Sequence, residues 1–477
     1  MIGSLGLGAL WLVLTVSGSD DAWSGFRGPD GSCVSRIETM VESYAAENVA
    51  WKIGVGAGYS SPILSERAVF LTAFEGLNPA TFCFDRKTGK ELWKTPAPKP
   101  LEEAYRGMNT PVSSTPATDG KRVYSYYMHF GLVCHDAESG DVVWQHEVDM
   151  LRVPHGMSSS PILAGGKVLL QCDQDTGSYL LALDKDTGKP AWKIDRPGIT
   201  HGYSTPIVHQ PKEGPVEVIL SGAYQLTGHS LETGERLWWV DGMCWMPMAM
   251  PSIADGVVYV SSAMSSPAEF GAPSFDGTFK EALAEKDQDG DEKISKSEWP
   301  HKGLAELWFI YDLNGDDLFD EEDWNFAQAR KRALGGTFAV KLGGKGDVTG
   351  SHILWKYDDR RGQSGSPSPL VYEGAVYLIK DGGVLTTLDA KTGDVLKQGR
   401  VGQPSPYSAS PIGACGKVLL ASGAGQVVLL DAGKEWEELG AWELDGDIWA
   451  TPAVGNGQTF VRTKNWLYAF QATSGGH

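Results

Sequence analysis

Short apolar runs such as Lys167-Val168-Leu169-Leu170 and Gly256-Val257-Val258-Tyr259-Val260 recur along the chain. They carry the period-2 pattern of half-buried strands. Each run lies between two fixed markers. Upstream stands a small hydroxyl residue followed by proline: Ser61-Pro62, Thr115-Pro116, Ser160-Pro161, Thr205-Pro206, Ser368-Pro369, Ser410-Pro411 and Thr451-Pro452, with Met250-Pro251 fitting the series without the hydroxyl. Downstream comes a turn and then a tryptophan: DRKTGKELW ending at Trp93, DAESGDVVW at Trp144, DKDTGKPAW at Trp192 and SLETGERLW at Trp238. DAKTGDVL (residues 389–396) and DAGKEWEELGAW, ending at Trp442, are looser copies. The Thr-Gly step supplies the positive φ that a tight hairpin needs.

The prolines are spaced by 54, 45, 45, 45, 118, 42 and 41 residues, which makes eight copies with one overlong gap. A unit of about 45 residues holds four antiparallel strands and cannot bury both faces of its sheet alone, so neighbours must stack. Eight units around an axis close into an all-β, eight-bladed β-propeller of four-stranded antiparallel blades. The last copy ends near Gln471 without a Trp strand, and Asn48-Val49-Ala50-Trp51-Lys52 is a Trp strand without a preceding blade. Pairing the two closes the ring. A column of mostly small residues (Cys83, Cys134, Ala182, Gly228, Thr387, Leu429, Ala469) reads as an inward position, which makes Cys83 and Cys134 packing residues.

Composition narrows the class. The 59 Gly, 26 Pro and 17 Trp suit many short strands and tight turns, and they exclude a coiled coil, a polytopic membrane protein and a disordered tail protein. A net charge of −19 argues against nucleic acid or an anionic membrane surface as partner. Leu5 to Val16 is an apolar run too short to span a bilayer and of the right length for a signal-peptide core, although no basic residue precedes Arg27. Residues 1–18 are therefore expected to be a signal peptide, with Val16-Ser17-Gly18 serving for cleavage, and the mature chain to be periplasmic or extracellular. No cysteine directly follows the run, so a lipid anchor is not expected. The six cysteines form no CxxC pair, which leaves thiol redox, haem attachment and cysteine zinc sites unsupported.

The overlong gap divides the propeller into residues 23–267 (blades 1–5, first part) and 336–472 (blades 5–8). Residues 268–334 carry 17 acidic and 8 basic side chains, nearly half the net charge of the chain. This composition break marks a small α-helical insertion in blade 5, residues 268–335. Within it, DQDGDEKISKSE (287–298) resembles the twelve-residue EF-hand loop. The resemblance places Asp287, Asp289 and Asp291 at positions 1, 3 and 5, the Lys293 carbonyl at 7, Ser295 at 9 and Glu298 at 12. DLNGDDLFDEED (312–323) is similar, with Asp312, Asn314 and Asp316, the Leu318 carbonyl, Asp320 and Asp323 in the same slots. Ile294 and Phe319 are set for a short strand contact. Helical spacing at Phe279, Ala282 and Leu283, and at Leu304, Leu307 and Trp308, supplies flanking helices. Both loops depart from the motif at position 6, where Glu292 and Asp317 replace glycine, and Asp323 replaces the usual bidentate Glu. Calcium is the cation this pattern implies. The plainer reading is an acidic, solvated helix pair without metal.

The eight copies resemble the propellers built from pyrroloquinoline-quinone-like repeats, over residues 23–265 and 336–472. That family holds quinoprotein alcohol dehydrogenases and non-catalytic outer-membrane assembly propellers. Trp23 to Ser35 (WSGFRGPDGSCVS) is similar to the opening segment of secreted members. In such an architecture the loops ahead of each proline gather near the axis and bring Tyr59, Asn109, His155, His201, Trp245, Tyr407 and Trp449 to a funnel that could stack a flat ligand or grip a peptide. The plainer reading is hydrogen-bonded loop residues lining a wet channel. The dehydrogenases typically carry adjacent cysteines over the quinone and an acid–amide–acid calcium set, and no Cys-Cys occurs here. Neither Gly-x-Ser-x-Gly nor His-Glu-x-x-His is present, and Gly54 to Gly58 opens no helix. The expectation is a non-catalytic, exported, monomeric scaffold that binds calcium and presents loops to a protein or glycan partner. The alternative is an alcohol or sugar dehydrogenase with pyrroloquinoline quinone in the funnel.

Overall fold

The computed structural model describes residues 22–101, 108–262, 275–455 and 457–472. The leader expected at 1–18 and the expected boundary at 267/268 lie outside these residues. Eight four-stranded antiparallel blades surround a central axis. Blade 1 runs through Ile63–Leu64, Ala68–Glu75, Asn78–Asp85 and Glu91–Pro96, from the axis outward. Blade 8 takes three strands from the C-terminus (Ala453–Gly455, Gln458–Arg462, Trp466–Gln471) and its outer strand, Val49–Gly54, from the N-terminus. Trp51 lies opposite Ala469 there, so the ring closes by the pairing the repeat demands. No helix among the described residues is long and apolar enough to cross a membrane.

The Trp and Thr-Gly signatures are two halves of one contact. Five indoles reach into the next blade, where the Nε1–H donates to a backbone carbonyl: Trp51 to Arg86 at 3.1 Å, Trp93 to Ala137 at 3.0 Å, Trp144 to Lys185 at 2.9 Å, Trp192 to Leu231 at 3.2 Å and Trp355 to Ala390 at 3.0 Å. The ring then lies on the turn glycine of that blade. Gly140 has φ 78°, and a Cβ there would stand 2.6 Å from the Trp93 indole, so both conformation and space demand glycine. The small column sits beneath the indoles from the other side, with Cys83 opposite Trp93, Cys134 opposite Trp144 and Ala182 opposite Trp192. None of the six cysteines forms a disulfide, and burial pushes the Cys83 and Cys134 thiols up to about 12. They are inert packing groups.

Blade 4 departs from the scheme. Trp238 donates to Glu217 Oε2 within its own blade at 3.0 Å. The tight turn that would receive it in blade 5 is replaced by a longer connection, whose Gly346–Asp347 pairs in parallel with Trp238 and Trp239.

Two histidines stand behind the turns. His135 Nδ1 faces the Gly140 carbonyl at 3.4 Å and His229 Nδ1 the Gly234 carbonyl at 2.9 Å. Burial lowers His135 to about 4 and His229 to about 3, against an ordinary 6.5. The folded state thus holds them neutral while the unfolded chain protonates them. Between pH 6.5 and about 4 the unfolded state binds more protons, so stability falls as pH falls through that window. We expect His135→Gln to flatten this fall, each histidine being responsible for a few kcal/mol by pH 4. Urea midpoints across the window test it, and an unchanged slope in the variant would show that acid acts elsewhere.

Residues 275–334 fill the connection between the second and third strands of blade 5 and form a helical lobe. Its helices are α1 (Phe279–Lys286), α2 (Lys302–Tyr311) and α3 (Glu321–Arg332). Thr278 and Glu281 form a capping box on α1, and Asp320 and Asp323 form one on α3. Phe275, Trp308, Phe319, Trp324 and Phe326 make an aromatic core, which continues into Ile199, Ala223 and Tyr224 of the propeller.

Candidate functional site

The connection from each outer strand to the next inner strand ends at a hydroxyl–proline pair or, in blade 5, at Met250-Pro251, and these pairs lie at one end of the axis. There the hydroxyls form a belt. The Ser61 N–H donates to Thr115 Oγ1 at 2.9 Å, Thr115 N–H to Ser160 Oγ at 3.0 Å, and Ser160 N–H to Thr205 Oγ1 at 3.0 Å. Across the ring, Met250 N–H donates to Ser368 Oγ at 2.9 Å, Ser368 N–H to Ser410 Oγ at 3.2 Å, and Ser410 N–H to Thr451 Oγ1 at 3.0 Å. Six of the eight blade junctions are thus tied through one side-chain oxygen each. This is the physical reason for the repeat's most regular feature.

The belt lines a cavity of about 450 Å³ on the axis. The channel is not open at both ends. Trp23 to Ser35 crosses beneath it: the Trp23 carbonyl accepts from Leu64 of blade 1, Ser24 from Thr118 of blade 2, and Cys33 from Gly413 of blade 7. Midway, Arg27 is fully buried with φ 64°, and its guanidinium donates to the Pro369 carbonyl at 2.6 Å, to Ser252 Oγ at 2.9 Å and, at 3.4 Å, to the carbonyls of Met250 and Pro251. Gly31 passes so close that a Cβ would stand 2.4 Å from the Met250 methyl, at a φ of 74°. The belt position without a hydroxyl is therefore where side chain and crossing segment meet. Phe26 rises from the segment as the floor of the cavity. The result is a cup, blind at one end.

Of the seven residues expected at the funnel, Tyr59, Asn109, His155 and Trp449 line the cup. The other three do not. Tyr407 is buried, its N–H bonded to Asp381 at 2.8 Å. His201 is turned outward, its Nδ1 2.5 Å from Asp175 Oδ1 on the neighbouring hairpin. Trp245 meets the edge of His201 and lies 3.9 Å beneath the guanidinium of Arg330 from α3, so the lobe claims it. The wall also holds Tyr203 and the belt hydroxyls. The hydroxyls were in plain view as repeat markers, without a signal for their inward direction.

The lobe stands on the same face as the cup's mouth and leans towards blades 3 and 4, where Arg152 Nη1 donates to the Asn314 carbonyl at 2.7 Å. Its two acidic loops share one conformation. Asp287 accepts from Gly290 N–H at 2.7 Å and Asp312 from Gly315 N–H at 2.7 Å. Glu298 accepts from Gln288 N–H at 2.8 Å and Asp323 from Leu313 N–H at 2.9 Å. Ile294 pairs with Phe319 in a short antiparallel ladder. Glu292 and Asp317 take the left-handed conformation that position 6 requires, at φ 63° and 65°. One carboxylate oxygen each from Asp287, Asp289 and Asp291 lies within 4.8 Å of the others. Backbone N–H groups of Ser295 and Gln288 lower Glu298 to about 2, whereas burial raises Asp323 to about 7. This oxygen set fits a hard cation.

The described lining of the cup offers no counter-charge to pyrroloquinoline quinone. That cofactor carries three carboxylates, and among the described residues lining the cavity none is cationic. Arg27 lies beneath the floor with its guanidinium on backbone carbonyls, and Arg462 is likewise buried against Ser60, Thr72 and Gly56.

Comparison with known proteins places the chain. The family model described as outer membrane protein assembly factor BamB matches residues 80–242 and 287–477, well over half the chain. The outer membrane protein assembly factor BamB of Burkholderia pseudomallei (strain K96243) is 32% identical over 123 residues, which span 26% of this chain and 31% of that relative's length. Among solved structures, BamB from Moraxella catarrhalis superposes with a TM-score of 0.53 at 10% identity, covering 89% of this chain and 99% of its own. A europium-containing methanol dehydrogenase gives 0.56 at 10% identity over 95% and 98% of the two chains. The quinohemoprotein alcohol dehydrogenase of Comamonas testosteroni gives 0.57 at 12% identity over 96% and 82%. These structural likenesses show the propeller fold, shared by assembly factors and dehydrogenases alike. With its blades, its closure and the matched segments taken together, the chain belongs to the family of the outer membrane protein assembly factor BamB.

Proposed function

We propose that the protein is a non-catalytic, exported, monomeric scaffold that holds calcium in the inserted EF-hand pair and presents the loops around its cup to a protein or glycan partner. The observation that carries this reading is the lobe. Two oxygen-rich loops, locked in one conformation and joined by the Ile294–Phe319 ladder, project beside the cup's mouth. Calcium would be held in the first loop by Asp287, Asp289, Asp291, Ser295, Glu298 and the Lys293 carbonyl. In the second it would be held by Asp312, Asn314, Asp316, Asp320, Asp323 and the Leu318 carbonyl. Bound there, the ion would fix the mutual angle of α1, α2 and α3, while Arg330 over Trp245 and Arg152 on Asn314 seat the lobe on the propeller. The name of the relative, an assembly factor, supports a protein-binding role. A periplasmic or extracellular location follows the apolar leader at Leu5 to Val16 and suits dissociation constants on the order of 10⁻⁴–10⁻³ M.

Native mass spectrometry with and without calcium tests the reading. One or two calcium adducts are expected, and Asp287→Ala combined with Asp312→Ala should remove them, change partner capture and leave the far-ultraviolet strand signal intact. Collapse of the whole fold in that double variant would end the idea of a separable lobe, and absence of adducts at millimolar calcium would end the idea of a calcium site. Quinone binding followed by dye reduction would instead restore the dehydrogenase.

A further inference from the structure

The cup has a wall chemistry of its own. Among its described lining residues none is charged, and His155 is the one titratable imidazole. Ligands bearing phosphate, carboxylate or ammonium find no counter-charge among these residues, and desolvating them against this wall would be costly. The belt is not inert, however. A hydroxyl offers one donor and two lone pairs. In Thr115, Ser160, Thr205, Ser410 and Thr451 one lone pair accepts the neighbouring blade's N–H. That contact pins the side chain and leaves the O–H donor and the second lone pair for a guest. A pinned ring of neutral donor–acceptor groups is complementary to a polyol.

Above the belt stand aromatic faces. Tyr59 and Trp449 come from the blade 8–1 side of the mouth, and His155 and Tyr203 from blades 3 and 4, with 6.1 Å between the latter two rings. Tyr59 is 39% exposed, so its ring is available to a ligand. Flat apolar rings above neutral hydroxyls match a pyranose, which has apolar C–H faces and an equator of hydroxyls. The volume of about 450 Å³ lies in the range of small-molecule sites, and the blind floor at Phe26 restricts it to a chain end.

We propose that the cup binds the terminal residues of an uncharged glycan, with the belt hydroxyls bonding the sugar's hydroxyls and Trp449 and Tyr59 covering its C–H face. This rests on the scaffold reading and names the ligand of its axial site. The test is an array of neutral and acidic oligosaccharides, followed by titration of the best neutral one with tryptophan fluorescence as readout. A neutral glycan is expected to bind at least tenfold more tightly than its uronic-acid counterpart. Trp449→Ala and Tyr59→Ala should each weaken it at least tenfold with unchanged circular dichroism. Thr205→Val, which keeps shape and removes the hydroxyl, should weaken it as well. The proposal is overturned if no neutral glycan is retained, if acidic glycans bind equally, or if neither aromatic variant alters affinity. A neutral sugar that binds and is then oxidised on addition of pyrroloquinoline quinone and a dye would uphold this site while removing the scaffold reading. Loss of glycan binding with calcium-dependent partner capture intact would do the reverse.

Discussion

Trp51→Ala should lower the unfolding free energy by about 3–5 kcal/mol and open the ring at one place. Trp51 is buried between blades, donates to the Arg86 carbonyl and lies on the Gly89 turn, where a Cβ would come within 2.7 Å of the indole. Its strand is the one N-terminal strand in a blade otherwise built from the C-terminus. Removing the indole deletes the contact and leaves a cavity that neither blade can collapse into. Hydrogen exchange separates this from a general loss of stability. Amides of Trp466–Gln471 and Val49–Gly54 should exchange early by local opening, before blades 2 to 4. Trp192→Ala, at a junction without a chain end, should lose comparable stability without that localised opening. If the terminal strands stay protected in Trp51→Ala, closure depends on something other than this indole.

The second large effect lies beneath the cup. Arg27→Ala removes a side chain that joins blades 5 and 6 to the crossing segment through four acceptors. Three of these are main-chain carbonyls in a buried setting, and a cost of about 2–4 kcal/mol is expected. Arg27→Lys should rescue little, since a single ammonium cannot span carbonyls on two blades. Arg27→Gly should be milder than Ala, because φ 64° is a left-handed conformation that glycine adopts freely. Denaturant midpoints should fall in the order Arg, then Gly, then Ala. An Ala variant as stable as the parent would mean that the segment is held by its backbone contacts alone.

The propeller was legible because its periodic features are contacts repeated from junction to junction. Proline, hydroxyl, turn glycine and tryptophan each serve junctions between blades, the hydroxyl bond at six of them and the indole bond at five, so each leaves a recurring mark. The two acidic loops were legible because their residue spacing places matching positions in register, as the Ile294–Phe319 pair shows. What escaped was whatever occurs once. The crossing segment has no period, and an arginine in it looks like a surface residue until the carbonyls of Met250, Pro251 and Pro369 are seen around it. The funnel set failed where a single tertiary partner overrode equivalence between copies. Asp175 turns His201 away, Arg330 covers Trp245 and Asp381 holds the backbone of Tyr407. Helix α3 was not foreseen either, since its polar, charge-rich sequence hides the few residues, among them Trp324 and Phe326, that anchor it.

The belt also sets a problem of orientation. Near-identical hydroxyls at 45° steps present almost the same potential to a guest in eight rotational settings, so the ring by itself would bind without defining a pose. Two features remove that degeneracy: Met250, which leaves one step without its hydroxyl, and the lobe rooted in blade 5, which stands over one sector of the mouth. A ligand or partner arriving along the axis therefore meets a dial with a single mark.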